Sequence, residues 1–204
     1  MQKFSVIIPA HNDAGHIRKA LESVRSQVLK CCDLELIVIC DSCEDDTEAI
    51  AREYGAITKN VSYHRDGLSR NAGIEMASGD WILFMDSDDW WLHEYVLDQL
   101  NRLTFIMDFD VLAFGFIWKH VGITGPERED GSLWPNVWSK LWYRKAIGDT
   151  RFSDEWSVSD LGFTRAMLGK KLRVAKWNQP LYYYNYMRPG SISEIEARKK
   201  GAER

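Results

Sequence analysis

Apolar positions in the first half of the chain switch repeatedly between a strand-like and a helix-like rhythm. Ser5-Val6-Ile7-Ile8 is a short β-branched run closed by Pro9, and Ile17, Ala20, Leu21, Val24 and Val28 then recur at helical spacing. Residues 34–39 form a second buried-strand run. Asp45-Asp46-Thr47-Glu48 has the composition of a helix start leading to Ile50 and Tyr54, with Gly55 as its stop. Residues 56–59 predict a third strand, residues 67–77 a helix, and residues 81–85 a fourth strand after Gly79-Asp80. This alternation predicts an α/β domain with a mainly parallel sheet flanked by helices on both faces.

The second half is less regular. Val96, Leu97, Leu100 and Leu103 predict a helix, residues 111–118 a strand, residues 161–168 a helix, and residues 172–177 and 181–186 two further strands. Residues 119–136, punctuated by glycines and Pro126, predict a loop, and the charged stretch 194–204 is expected to fray.

Composition narrows the function. The formal charge over 204 residues is −4, which disfavours nucleic acid and acidic membrane surfaces as partners. The first residues lack the pattern of a secretory signal, and the longest apolar run, residues 111–118, is far short of the roughly 20 residues of a spanning helix. A cytoplasmic protein, at most peripheral to the membrane, is the expectation. Cys31-Cys32 and the Cys40, Cys43 pair have no histidine in the adjoining sequence to complete a zinc set, so they are read as reduced structural or pocket-lining thiols.

In open α/β sheets ligands bind outside the carboxyl ends of the strands. Those positions hold His11-Asn12-Asp13, Asp41-Ser42 and Asp86-Ser87-Asp88-Asp89. Acids converging on one crevice require a cation. In an extended segment Asp86 and Asp88 project to the same face, and hard oxygen ligands suit Mn2+ or Mg2+, with further oxygens drawn from a substrate diphosphate. The plain alternative is a solvated acidic turn, with Asp89 capping a helix that starts near Leu92.

Further runs accompany this motif in order. They are Ser5-Val6-Ile7-Ile8-Pro9-Ala10-His11-Asn12, the strand 36–39 leading into Asp41-Ser42, Gly67-Leu68-Ser69-Arg70-Asn71-Ala72-Gly73-Ile74-Glu75 and Ala77-Ser78-Gly79-Asp80-Trp81. Later come Trp138-Ser139-Lys140-Leu141 and residues 184–193 with their Arg188-Pro189-Gly190-Ser191-Ile192-Ser193 ending. Together they closely resemble the signature of family-2 glycosyltransferases of the GT-A fold, over most of residues 4–193. The resemblance implies a metal-assisted, inverting transfer from a nucleotide-diphospho-sugar, a UDP-sugar for preference, to a glycan or lipid-linked acceptor. Residues 1–92 would form the nucleotide-sugar half and residues 93–193 the acceptor half of a single catalytic domain.

Carried over residue by residue, the resemblance gives Pro9, His11, Asn12 and Asp41 to the base and ribose. Arg70 goes to base or phosphate, and Asp86, Ser87 and Asp88 to the ribose and metal-bound diphosphate. Asp86 and Asp88 are the metal ligands. Asp160 is the catalytic base, with Asp154 and Glu155 as substitutes because Ser159 stands where the family has an acid. Bland readings stand beside these: a surface ion pair for Arg70 and a helix N-cap for Asp160. Arg188 and Ser191 are placed to close over the diphosphate. Trp81 is read as core, Trp90, Trp91, Trp134 and Trp138 as acceptor platforms or core, and Tyr182, Tyr183 and Tyr184 as packing a terminal strand.

Two other classes remain. A nucleotidyltransferase would be expected to carry a basic Gly-rich loop after the first strand, and residues 9–15 have no lysine or arginine. A family member that binds nucleotide sugar without turnover would differ at Ser159-Asp160.

Overall fold

The computed structural model describes residues 1–155, 159–188, 191 and 194. The first half runs β1 (Gln2–Ala10), α1 (Ile17–Arg25), β2 (Cys32–Asp41), α2 (Thr47–Glu53), β3 (Ile57–Val61), α3 (Asp66–Met76) and β4 (Trp81–Phe84). The second half runs β5 (Trp90–Trp91), α4 (Val96–Ile106), β6 (Val111–Trp118), β7 (Gly122–Thr124), β8 (Lys140–Tyr143), α5 (Arg144–Ile147), α6 (Ser159–Leu168) and β9 (Val174–Tyr184). The expected fraying of residues 194–204 lies, apart from Glu194, outside the described residues.

The nine strands among the described residues form one sheet, ordered β3-β2-β1-β4-β8-β6-β9-β5, with β7 on β6. The β3-β2-β1-β4 portion is parallel throughout, as the alternation predicts. Beyond it the sheet is mixed: β8 runs antiparallel to both β4 and β6, β9 is parallel to β6, and β5 is antiparallel to β9. The two-residue β5 is too short to show a period, and β8 opens on Lys140 and carries no β-branched residue, so the sequence pattern missed them. The two expected terminal strands are one, β9, whose register against β6 slips around Gly115. A Cβ at Gly115 would lie 2.8 Å from the Asn178 carbonyl, so the irregularity needs glycine.

The pleat divides the core into two layers. Phe4, Val6 and Ile8 face α1 and α4 through Ile17, Leu21 and Leu97, whereas Ile7, Ile39 and Phe84 face α3 and α6 through Ala72, Phe163 and Met167. The α3 helix approaches so closely that a Cβ on Gly73 would fall 2.3 Å from Ile7 Cγ2. Pro9 extends β1 rather than closing it, because pairing with β4 ends at Ile7 and the missing N–H falls beyond that ladder. At the opposite end, Glu35 accepts from Lys3 Nζ, Ser5 Oγ, Ser78 N–H and Ser78 Oγ, tying β1, β2 and the approach to β4 together.

Candidate active site

The loops leaving β1, β2 and β3 share a costly feature: Asn12, Ser42 and His64 have φ of 49°, 56° and 52°. Left-handed backbone at three neighbouring non-glycine positions persists only where surrounding contacts fix it, and it marks candidate functional loops. Much of the fixing is done by Asp41, which is nearly buried at the end of β2. Its Oδ1 accepts the N–H groups of Tyr63 and His64 at 2.8 and 2.9 Å, and its Oδ2 accepts Arg65 N–H at 3.0 Å and Ser69 Oγ at 2.9 Å. Burial alone would raise this carboxyl; the donors from His64, Arg65, Ser69 and Tyr63 outweigh it and hold it below the usual range. Asp41 therefore spends both oxygens on shaping the β3–α3 turn. His11 reaches the Asp41 carbonyl with Nδ1 at 2.6 Å, and its exposed ring stands edge-on to His64 at 6.2 Å. Asn12 Oδ1 accepts Glu44 N–H at 2.8 Å, joining the first two loops.

The segment after β4 lies beside them. Asp86 Oδ1 accepts Arg70 Nη2 at 2.8 Å, and the same guanidinium pairs through Nη1 with Asp66, one helical turn earlier, and with Asp160 at 3.3 Å. Arg70 is only 4% exposed, so this is a buried arginine held by three half-buried carboxylates and not the surface ion pair of the bland reading. Burial pushes the Asp86 carboxyl up to about 7, with Arg70 opposing and Asp160 and Asp88 adding to the rise. Asp160 is likewise raised by burial against the pull of Arg70. It sits in the first turn of α6, where its Oδ2 accepts Val137 N–H at 3.1 Å from another segment, in place of the expected capping bond within its own helix. Asp154 and Glu155 are exposed, and Ser159 Oγ contacts Asp66 at 3.3 Å.

Asp88 is bound through Oδ2 by Arg188 Nε, and Arg188 Nη2 reaches Asp13 Oδ1 at 2.9 Å. Ser87 donates to the other oxygen of Asp13. Arg188 thus ties the segment after β9 across two strand-end loops. Among the described residues, the second oxygen of Asp86 and of Asp88 makes no hydrogen bond, and no three His, Cys, Asp or Glu side chains form a ready metal centre.

Residues 5–172 match the profile of glycosyl transferase family 2. The chain belongs to this family. It is similar to glycosyltransferase GlyA of Streptococcus pneumoniae, at 34% identity over 97% of this chain and 32% of that protein. It is also similar to the poly(ribitol-phosphate) beta-N-acetylglucosaminyltransferase TarP of Staphylococcus aureus, at 32% identity over 49% of this chain and 32% of that one. The chain spans about a third of the length of these curated relatives. Among solved structures, residues 1–349 of S. aureus TarS in complex with UDP-GlcNAc superpose with a TM-score of 0.81 at 23% identity, covering 94% of this chain and 60% of that one. Glucosyl-3-phosphoglycerate synthase from Mycobacterium tuberculosis, in complex with Mn2+, UDP and phosphoglyceric acid, gives 0.71 at 20% identity, over 98% and 75%. The fold is the GT-A fold of these glycosyltransferases.

Several expectations for this family-2 domain need correction. Asp89 caps no helix: it is 1% exposed, accepts Tyr182 Oη at 2.7 Å and Asn185 N–H at 2.8 Å, and the next helix starts at Val96. Trp91 and Trp138 are core, the latter stacked on Tyr182 at 4.6 Å. Trp90 has Tyr183 stacked against its ring at 4.2 Å and Lys19 Nζ over the ring at 3.1 Å, so it offers a sugar no free platform. Trp134 alone of the four faces open space, lining a cleft of about 630 Å³ with Trp118, Ile123 and Glu127. Trp156 lies outside the described residues, as do Pro189, Gly190, Ile192 and Ser193.

Other contributors escaped sequence reasoning. Asp66 had a signal, since aspartate four residues before Arg70 on a helix is an expected pair. Lys140 gave none of its role: it is fully buried, and Nζ donates to the carbonyls of Trp134 and Asn136 at 2.6 and 2.5 Å. That fixes the turn from which Val137 N–H reaches Asp160. Among the described residues no helix is long and apolar enough to cross a membrane.

Proposed function

We propose that this family-2 domain transfers a sugar from a nucleoside diphosphate donor, a UDP-sugar, to a hydroxyl of a glycan or lipid-linked acceptor with inversion at the anomeric carbon. The observation that carries the proposal is Arg70, which joins Asp86 to Asp160 and so links a phosphate-side acid to the half-buried candidate base. The relatives support the donor: TarS has been solved with UDP-GlcNAc, and the mycobacterial synthase with Mn2+ and UDP.

On this reading residues 1–92 hold the donor. Pro9, His11 and Asn12 border the base, and the turn shaped by Asp41 closes around it. Asp86 and Asp88, with Ser87 fixing the segment against Asp13, hold Mn2+ or Mg2+ through the oxygens that the arginines leave open. Bound there with the diphosphate, the cation would offset charge developing on the leaving oxygens. Arg188, four residues beyond β9, is positioned to exchange Asp88 and Asp13 for phosphate oxygens.

Residues 93–193 supply the acceptor side, with the Trp118–Trp134 cleft as its open surface. Asp160 takes the proton from the attacking hydroxyl; its Oδ2 is held by Val137 N–H and its Oδ1 is ion-paired with Arg70 at 3.3 Å, and burial raises its pKa against that arginine, which strengthens it as a base. Assigning the proton transfer to Asp160 and no residue as nucleophile agrees with direct displacement, the course that the family resemblance implies.

The test is release of UDP from a panel of UDP-sugars, with product mass measured in the presence of saccharide and lipid-linked acceptors. Acceptor-dependent product from one sugar supports the reading. Tight nucleotide binding without product on any acceptor favours the non-catalytic alternative.

A further inference from the structure

Lys140 opens β8 and is fully buried against the turn formed by residues 134–137. Its Nζ donates to the Trp134 carbonyl at 2.6 Å, to the Asn136 carbonyl at 2.5 Å and to Asn136 Oδ1 at 3.4 Å, so each of the three ammonium protons has an acceptor. The remaining oxygens of the turn are taken as well. Thr164 Oγ1, on α6, donates to the Pro135 carbonyl at 2.7 Å, and Trp142 Nε1 donates to the Val137 carbonyl at 3.2 Å. Every backbone oxygen from Trp134 to Val137 is therefore held by a buried side chain.

The two ends of this turn meet different parts of the site. Trp134 lines the cleft that it shares with Trp118, the two rings edge-to-face at 5.5 Å. Three residues on, Val137 N–H is bound to Asp160 Oδ2 at 3.1 Å. We propose that Lys140 is a positioning residue for the transfer: by holding this turn it sets the cleft wall that receives the acceptor sugar against the carboxylate that takes its proton. The inference deepens the proposed function and rests on it.

Alignment is what the turn supplies. In the transfer a lone pair of the acceptor oxygen forms the bond to the anomeric carbon, the bond from that carbon to the diphosphate oxygen breaks, and the hydroxyl proton passes to Asp160. Lys140 exchanges no atom in this step. Misplacing the acceptor or the base by about 1 Å costs up to about 10²-fold in rate, so a brace on both is worth as much.

The same turn helps to keep the base ionised, since an N–H donated to a carboxylate favours its charged form. Burial raises Asp160; Arg70 opposes, Asp66 adds to the rise, and Val137 N–H and Lys140 draw the carboxyl down. The charged groups that face Asp160 are thus Arg70 and Asp66 from α3 and Lys140 from β8. Asp160 in turn opposes the burial that pushes Lys140 down to about 7. Loosening the turn by removing Lys140 weakens two restraints at once, and the Asp160 carboxyl rises further.

The test compares the full chain with its Lys140→Met and Thr164→Val variants. It measures UDP affinity, acceptor KM, kcat across pH, and the NMR shift of the Val137 amide across pH. Lys140→Met is expected to lower kcat by about 10–100-fold, to raise the acceptor KM and to leave UDP affinity unchanged. The acid limb of its rate profile, and the midpoint at which the Val137 amide follows Asp160, are both expected at higher pH than in wild type. Thr164→Val removes only the bond to the Pro135 carbonyl; it is expected to move the same quantities in the same direction by less, and it decides alone if Lys140→Met does not fold. Variants that keep kcat and acceptor KM overturn the proposal. So does a loss of rate with the acid limb and the Val137 midpoint in place, which would leave Lys140 a brace of the fold only. A wild type that makes no product on any acceptor counts against the proposed transfer, and the Val137 midpoint then decides the positioning by itself.

Discussion

Arg70 Nη2 lies 2.8 Å from Asp86 Oδ1, and both side chains belong to a cluster from which water is largely excluded around the arginine. Asp66 and Asp160 share the same guanidinium, so one positive charge offsets three carboxylates. Electrostatics of this kind contribute little net stability when complete, and removing one partner leaves uncompensated charge. Arg70→Met is accordingly expected to destabilise the fold by about 3–5 kcal/mol in urea denaturation. Arg70→Lys recovers only part of this, because an ammonium lacks the planar fork that spans several carboxylates. A loss below about 1 kcal/mol for the methionine variant would place the cluster in effectively exposed surroundings.

Asp160→Asn keeps the shape and the contact with Val137 N–H while removing the proton acceptor. Its kcat is expected to fall by about 10²–10⁴-fold with UDP affinity unchanged. Burial raises the Asp160 pKa, so the wild-type rate declines toward acid at a pH above the ordinary carboxylate range of about 4. That limb is expected to be absent from the residual activity of the variant. An equal loss from Asp154→Asn would move the base to the exposed loop.

At Gly73 two effects oppose each other. Alanine improves helix propensity by up to about 1 kcal/mol. Its Cβ would sit 2.3 Å from Ile7 Cγ2, on a central strand with no room to retreat. Overpacking of this kind costs about 1–3 kcal/mol. Thermal denaturation of Gly73→Ala should therefore show a lower Tm, and a raised one would mean that α3 sits further from the sheet.

Glu35 gives a pH signature far from the site. Burial alone would raise its carboxyl; hydrogen bonds from Ser5, Ser78 and Lys3 outweigh it and bring it down to about 2. A folded-state pKa below the unfolded value contributes stability that is complete above about pH 4.5 and lost as the pH falls toward 2. The expected contribution is about 2–3 kcal/mol. Glu35→Gln should flatten the stability profile in that window, as read by denaturation at successive pH values.

The parallel half of the fold was legible because β1 and β2 carry β-branched runs that stand out against amphipathic helices, and the wholly apolar β4 follows the turn residues Gly79-Asp80. The remainder was not, since β5 has two residues, β8 opens on Lys140 and carries no β-branched residue, and the Trp90-Trp91 pair reads as an exposed aromatic step until Tyr182 and Tyr183 are placed opposite it. At the site, Asp86, Asp88, Arg70 and Asp160 could be named from motif and order. Their coupling could not: Asp160 enters from α6, ninety residues beyond Arg70, and only tertiary packing brings them together. Arg188 closing back on Asp13 and Asp88, and Lys140 bracing the turn above Asp160, are likewise long-range or buried relations with no local pattern.

Calorimetric titration of UDP, with Mn2+ and with chelator, on wild type and Asp86→Ala/Asp88→Ala tests the central claim most directly. The account predicts binding near the micromolar range that requires both the cation and the two aspartates, and a clear preference for UDP over GDP. Absence of UDP binding in every condition, or binding that neither chelator nor the double substitution weakens, would contradict it and leave the acidic segment as a turn held by Arg70 and Arg188.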